Sequence, residues 1–292
     1  MQFEILVDCI ILTFLSITLL LSISILIIVS ISIRPFTTNV PILLTFNTYL
    51  SLTLTCVTMS IIYIYNLYGD LHSFVSVKDH WCQLRTYFVN VCFCSLYYSC
   101  VLQSIFRLFR VVFYKKKLLQ SKQFFIIAII LQWFLSFILT LSNLFNDDYQ
   151  HLPFLYRCWI SFLNTRGLLL AALIIYGWPL ITIVSIYTYI VRYIHQTNQI
   201  QRKKTIKRDL LILKRITIFV LVITGIGLPT ILILFILMAT NKLIPMAYHI
   251  QGLSMAFGVF IASIGFAFIT PQILEIFNRK QKKHRSILIR RD

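Results

Sequence analysis

Residues 82–107 read CQLRTYFVNVCFCSLYYSCVLQSIFR, and positions 86–106 of that stretch are 21 residues without a charge. An α-helix needs ~20 apolar residues to cross a hydrocarbon core ~30 Å thick, so the run is read as a spanning helix. Cys82 stands before it, and Arg107 closes it, followed by Arg110, Lys115, Lys116 and Lys117. Basic residues gather on the cytoplasmic side of spans, and bridging cysteines belong to an oxidising space. The stretch therefore has a direction, with Cys82 outside and Arg107 inside.

Composition supports a membrane chain. The 292 residues are 59% hydrophobic and 12% charged, with a mean hydropathy of +0.84, which excludes an ordinary soluble domain. The net charge of +18 raises the question of nucleic acid. The bases fall into a few short segments between apolar runs, a pattern of membrane topology and not of a binding groove, so no nucleic-acid partner is expected.

Seven charge-free runs follow one another, at 9–33, 35–69, 86–106, 123–146, 167–191, 216–241 and 243–274. Each is long enough to span, and none alternates strictly as a barrel strand would. The expected fold is all-α, a seven-transmembrane helix bundle. Its helices are expected at about 5–33, 38–65, 82–113, 123–145, 168–194, 209–238 and 246–270. One receptor-sized domain covers 1–278, and 279–292 form a basic cytoplasmic tail. With the N-terminus outside and the C-terminus inside, all Lys and Arg residues except Lys78, Arg85, Arg157, Arg166 and Lys242 lie inside. The first run is read as a retained helix, because it is long for a signal peptide and is preceded by Glu4 and no base. No Asn-x-Ser/Thr sequon occurs, so N-glycosylation is not expected.

Cys9, Cys56, Cys92, Cys94 and Cys100 fall within spans, where a thiol packs as a small apolar group. That leaves Cys82 and Cys158, both assigned to the outer face. A bridge between them would close a long loop, worth ~4 kcal/mol on the chain-entropy account. In the loop 66–80, Asp70, His72, Asp79 and His80 fit no compact metal site, so a solvated loop is preferred and no metal or other cofactor is expected. Asp8, near the outer end of the first span, is likewise expected to be solvated, with capping of a pocket as the alternative. The hydroxyl-rich stripe Thr45, Asn47, Thr48, Ser51, Thr53 and Thr55 is read as interhelical hydrogen bonding. Pro179, Pro229 and Pro271 fall inside the last three spans, where a proline removes one backbone hydrogen bond and bends the helix. Gly225 and Gly227 precede Pro229. The segment 273–277 has the length and pattern for a short amphipathic eighth helix, and the basic tail favours anionic membrane lipids.

Taken together, Cys82, Arg107 at its C-x24-R spacing, Trp133, Cys158, Pro179 with Tyr187 eight residues on, Asp209 twenty residues before Pro229, and Thr270-Pro271 resemble the landmarks of the rhodopsin-like G-protein-coupled receptors. The resemblance covers essentially the whole chain and rests on the order and spacing of the landmarks. It implies a multi-pass plasma-membrane protein, and since the six scattered histidines and the isolated acids form no catalytic cluster, no enzyme is expected. It also implies an extracellular ligand, a peptide or small apolar molecule, and a heterotrimeric G protein engaged when helix 6 moves outward. Arg107 would pair with Asp209 at rest and pass to Tyr187 on activation, with Pro229 and Pro271 as bending points. Capping of a helix start is the competing role for Asp209.

Several family positions are changed. Phe106 stands where an acid usually precedes the arginine, Gly227 where a tryptophan precedes the helix 6 proline, Thr270 for an asparagine, and Leu274 for a tyrosine. The resemblance places the ligand pocket at Val89, Asn90, Phe93, Ala171, Ile175, Thr230, Leu234, Phe260 and Ile264. Val89 replaces the carboxylate of amine receptors, and Ile264 the retinal-bearing lysine of opsins. Arg85, Arg166, His249 and Gln251 are placed at the outer rim, where interfacial snorkelling is preferred over contact with an acidic or amidated ligand. The alternative function is a transporter or channel, which calls for ionisable or broken-helix features at mid-membrane.

Overall fold

The uncharged run at 86–106 lies within α3 (His80–Val111), which in the computed structural model packs against the helices at 40–72 and 122–145 and the helical stretch 173–196. Residues 2–32, 40–72, 80–152, 155–196, 227–240 and 246–269 are described. The helices are α1 (Gln2–Ser32), α2 (Val40–His72), α3, α4 (Lys122–Phe145), α5 (Thr165–Ala172), α6 (Trp178–Gln196), α7 (Leu228–Thr240) and α8 (Ala247–Ile269). A π-helical turn, Leu173–Gly177, joins α5 to α6 into one rod. A short hairpin, β1 (Tyr149–His151) and β2 (Cys158–Ile160), stands between α4 and α5.

The helices α1, α2, α3, α4 and α8 and the α5–α6 rod are each long and apolar enough to cross a membrane. The chain is a helical, multi-pass membrane protein. The most apolar window of α3 is 72% buried, against 22% for α1 and for α4, so α3 is the axis and those two helices face lipid. Leu20 and Ile31 of α1, each 68% exposed, are ordinary for a surface solvated by acyl chains. Of the sixth expected span only α7, 13 residues, is described.

Local chemistry explains the helix details. Hydroxyls in the apolar runs bond back to their own helix, as Ser16 does to the Leu12 carbonyl and Thr18 to the Phe14 carbonyl, each at 2.7 Å. Pro179 cannot donate a backbone hydrogen bond. Just ahead of it the Trp178 N–H reaches back to the Leu173 carbonyl, the wider spacing of the π turn. The expected bend at Pro179 thus takes the form of a re-registered turn. Pro229 occupies the first turn of α7, where a missing N–H costs least.

Two expectations are corrected. The second helix runs to His72 instead of ending at 65, so the start of the expected 66–80 loop is helical. This extension is held by Asn66, whose Oδ1 accepts the Tyr156 N–H at 3.0 Å, and by Gly69, where an added Cβ would lie 2.2 Å from the Tyr156 ring. Asp8 is not solvated but fully buried.

Between α2, α3 and α4 a polar network replaces apolar packing. Asn47 Nδ2 donates to Gln132 Oε1 at 2.7 Å, and Gln132 Nε2 donates to the Ser95 hydroxyl and carbonyl, each at 2.8 Å. Trp133 Nε1 donates to Asn47 Oδ1 at 3.0 Å, and the Ser51 and Ser95 hydroxyls meet at 3.0 Å. Lower down, Gln103 Nε2 donates to Thr48 at 2.8 Å. With every member partnered, such a network fixes the rotation of three helices in a medium without water.

Candidate functional site

The disulfide end of the bundle is built first. Cys82, in the first turn of α3, is bonded to Cys158 of β2, with Cα atoms 5.5 Å apart. Thr86 Oγ1, one turn along, donates to the Cys158 carbonyl at 2.7 Å, and Gln83 Nε2 donates to the Tyr149 carbonyl at 3.2 Å. The hairpin is thereby pinned over the end of α3, with Tyr149 opposite Ile160 and His151 opposite Cys158. Burial pushes the Tyr149 phenol above the usual tyrosine range. Beyond the hairpin, Leu152, Leu155 and Phe162 are buried against Ile233 and Leu237 of α7 and Tyr248 of α8. This apolar cover closes the end of the bundle.

Beneath the cover lies a cavity of about 610 Å³, with Trp159 and Ile160 of the hairpin in its ceiling. Of the expected pocket residues, Asn90, Phe93, Ala171, Ile175, Thr230 and Leu234 line it. The others are elsewhere. Val89 is fully buried outside the cavity, Phe260 packs on Phe14 of α1 with ring centroids 5.5 Å apart, and Ile264 is 37% exposed. Helical phase separates them, since neighbours along a helix point about 100° apart. Among the described residues no Lys, Arg, Asp, Glu or His lines the cavity.

Gln251, assigned by sequence to the rim, is 3% exposed and lines the cavity. Its side-chain amide makes no hydrogen bond among the described residues. Tyr97 and Tyr176 meet edge to face at 4.9 Å in the cavity wall.

A second polar group sits beside the cavity, and the sequence reading missed it. Asp8 of α1 accepts a hydrogen bond from Asn66 Nδ2 of α2, and its other oxygen lies 3.5 Å from His249 Nδ1 of α8. Arg157, 5% exposed, donates from Nη2 to the Tyr248 carbonyl at 3.2 Å and lies over the Tyr63 ring at 4.7 Å. Asp8, His249 and Arg157 were all expected in water or at the interface. Isolated charges near span ends look alike in sequence whether they face headgroups or a closed bundle end. Of the remaining rim residues, Arg85 is stacked on Tyr65 at 4.0 Å, and Arg166 is exposed.

At the opposite end, Arg107 Nη1 donates to the Gln103 carbonyl at 3.3 Å. Tyr187 packs against the cluster of Val111 of α3 and Ile186 and Ile190 of α6. Asp209, Thr270, Pro271 and Leu274, with the basic segment 197–226 and the tail 279–292, lie outside the described residues. The Arg107–Asp209 pairing and the eighth helix are therefore not described. Among the described residues no group of acids, cysteines and histidines is placed to hold a metal. No protein-family model matches the chain, and no curated protein matches its sequence.

Proposed function

We propose that the chain is a divergent rhodopsin-like G-protein-coupled receptor of the plasma membrane. In this reading it has seven spans, the disulfide end outside, and the Arg107 end facing a heterotrimeric G protein. The observation that carries the reading is the cavity itself. It is enclosed by α3, the α5–α6 rod, α7 and α8 and covered by a hairpin bonded to α3. A ligand held there touches both the axis of the bundle and α7, whose first turn carries Pro229. Differential contact with two positions of that segment is what a ligand needs to shift a conformational equilibrium. Tyr187, which packs on the cluster of Val111, Ile186 and Ile190, would take over the Arg107 guanidinium on activation. Asp209 would hold Arg107 at rest, so Asp209→Ala would raise basal signalling at matched surface expression.

The test is a screen of peptide and small apolar ligands on cells expressing the chain at the surface, read by G-protein dissociation and second messengers. A saturable, ligand-dependent response is expected. Accessibility labelling supplies the control: labelling of residues 196–208 from the same side as the Cys158 hairpin would sink the reading. Ligand-independent current or uptake in oocytes would favour a transporter or channel instead.

A further inference from the structure

We infer that the cavity takes an uncharged, single-chain lipid-like amphiphile, which enters sideways from the bilayer between α5 and α7 and is read by Gln251. This deepens the proposed ligand site and rests on that reading for what binding accomplishes, though not for whether binding occurs.

The first observation is the wall. Leu169 and Ala172 of α5 and Ile231 and Phe235 of α7 line the cavity. Leu169 is also 59% exposed on the outside of the bundle, Ile231 45% and Phe235 65%, and Ala172 is exposed. Residues that face a cavity and the bilayer together mark a mouth. The packing agrees: α5 leans on α4, the π turn and α6 lean on α3, and α7 leans on α8, while no comparable packing joins α5 to α7. The π turn widens the rod beside this opening, at Leu173–Gly177.

The second observation is the end of the bundle. Phe162, fully buried, and Leu152 and Leu155 cover it against α7 and α8. A water-soluble ligand would have to displace this apolar cover, whereas a molecule dissolved in the bilayer would not.

The third is the chemistry of the lining. An ionic head brought into a cavity whose described lining holds no charged side chain loses hydration that this lining does not replace. Gln251 offers a carbonyl acceptor and an NH2 donor on a side chain that is 3% exposed and makes no hydrogen bond among the described residues. A hydroxyl, ester or amide head complements it, and the chain lies along Phe93, Ile175 and Leu234. The volume of about 610 Å³ suits one small amphiphile.

The experiment places the full chain in lipid nanodiscs with a diazirine-bearing monoacylglycerol, and in parallel with the fatty acid and the fatty amine of the same chain. Crosslinks are mapped by mass spectrometry. The expected result is labelling of α5 and α7 around the mouth by the monoacylglycerol. It should be saturable by unlabelled monoacylglycerol and roughly tenfold above either charged analogue. Gln251→Leu should cut the labelling about tenfold, the loss of one good hydrogen bond, and Gln251→Glu should move the preference to the amine. Ala172→Trp, at an exposed position, should plug the mouth and slow labelling without loss of folding. Equal labelling by all three heads, or labelling that never saturates, would mean bulk acyl tails only and would overturn the inference. Labelling indifferent to Ala172→Trp and to both Gln251 variants would do the same. Nanodisc labelling needs no G protein, so its failure leaves the signalling proposal standing. Labelling without any G-protein response would remove the signalling proposal and leave the lipid site.

Discussion

Asp8 of α1 and His249 of α8 face one another at 3.5 Å, both buried inside the bundle. They join the first described helix to the last, and Asn66 of α2 holds the other carboxylate oxygen. Replacing Asp8 by Ala removes the acceptor of the buried Asn66 amide and the carboxylate that faces the His249 ring, at a cost of about 2–3 kcal/mol. Asp8→Asn keeps the shape and one polar partner and should lose less. Unfolding in a mixed-micelle titration measures both. An Asp8→Ala protein within ~0.5 kcal/mol of the parent, the range of an inconsequential surface change, would show that the contact does not hold the helices.

Asn47 is the hub of the network between α2 and α4, serving Gln132 and Trp133 from the two ends of one amide. Asn47→Ala should cost about 1–2 kcal/mol, since two donors or acceptors lose their partner in a dry interface. Trp133→Phe removes only the outer member and should cost less. The two measured together with the double variant would show coupling: additive losses would mean that Trp133 does not depend on Asn47.

The helices were legible because hydrocarbon solvation leaves a strong mark, a run of uncharged residues of about the required length. The disulfide was legible because the other cysteines fell inside such runs. Helix ends were less so: α2 continues through Asn66 and Gly69 to His72 because Tyr156, far along the chain, packs on it. The polar cluster of Asp8, Asn66, Arg157 and His249 was hidden for the same reason, since burial of an end-of-span charge depends on which loop folds over it. Gln251 carried no signal of its own, because a glutamine one turn inside a span reads the same whether it faces a cavity or the headgroups.

Gly252 of α8 lies against Tyr63 of α2. A Cβ there would lie 1.8 Å from the Tyr63 hydroxyl and 3.4 Å from Ile11. Tyr63 is 4% exposed and sits beneath the Arg157 guanidinium, so it has little room to retreat. Gly252→Ala should destabilise by about 1–3 kcal/mol, the usual cost of overpacking. Gly252→Ala combined with Tyr63→Phe should recover part of the loss. No recovery would place the strain on Ile11 instead.

Cys158 is bonded to Cys82 across a sequence separation of 76 residues. Cys158→Ser should lower stability by about 4 kcal/mol on the chain-entropy account. It should also loosen the hairpin that carries Trp159 into the cavity ceiling. Thermal unfolding with and without reductant is the check: reductant should bring the parent down to the variant and leave the variant unmoved. A parent indifferent to reductant, with the bridge shown by mass spectrometry to have opened, would count against this role.

Tyr149, fully buried in the hairpin, supplies a pH dependence outside the spans. Burial raises its phenol above the unfolded value of ~10. The folded state therefore keeps a proton that the unfolded chain gives up first. The associated stability is present in full below pH ~10 and is lost as the pH climbs beyond it, by about 1 kcal/mol one unit higher. Tyr149→Phe has no such proton, so its unfolding midpoint should fall less than that of the parent between pH 9 and pH 11. Both proteins share every other titrating group, which makes the difference between the two slopes the quantity to read. Parallel slopes would mean that the Tyr149 phenol meets solvent in the native protein and that the hairpin is not the closed cover over the cavity.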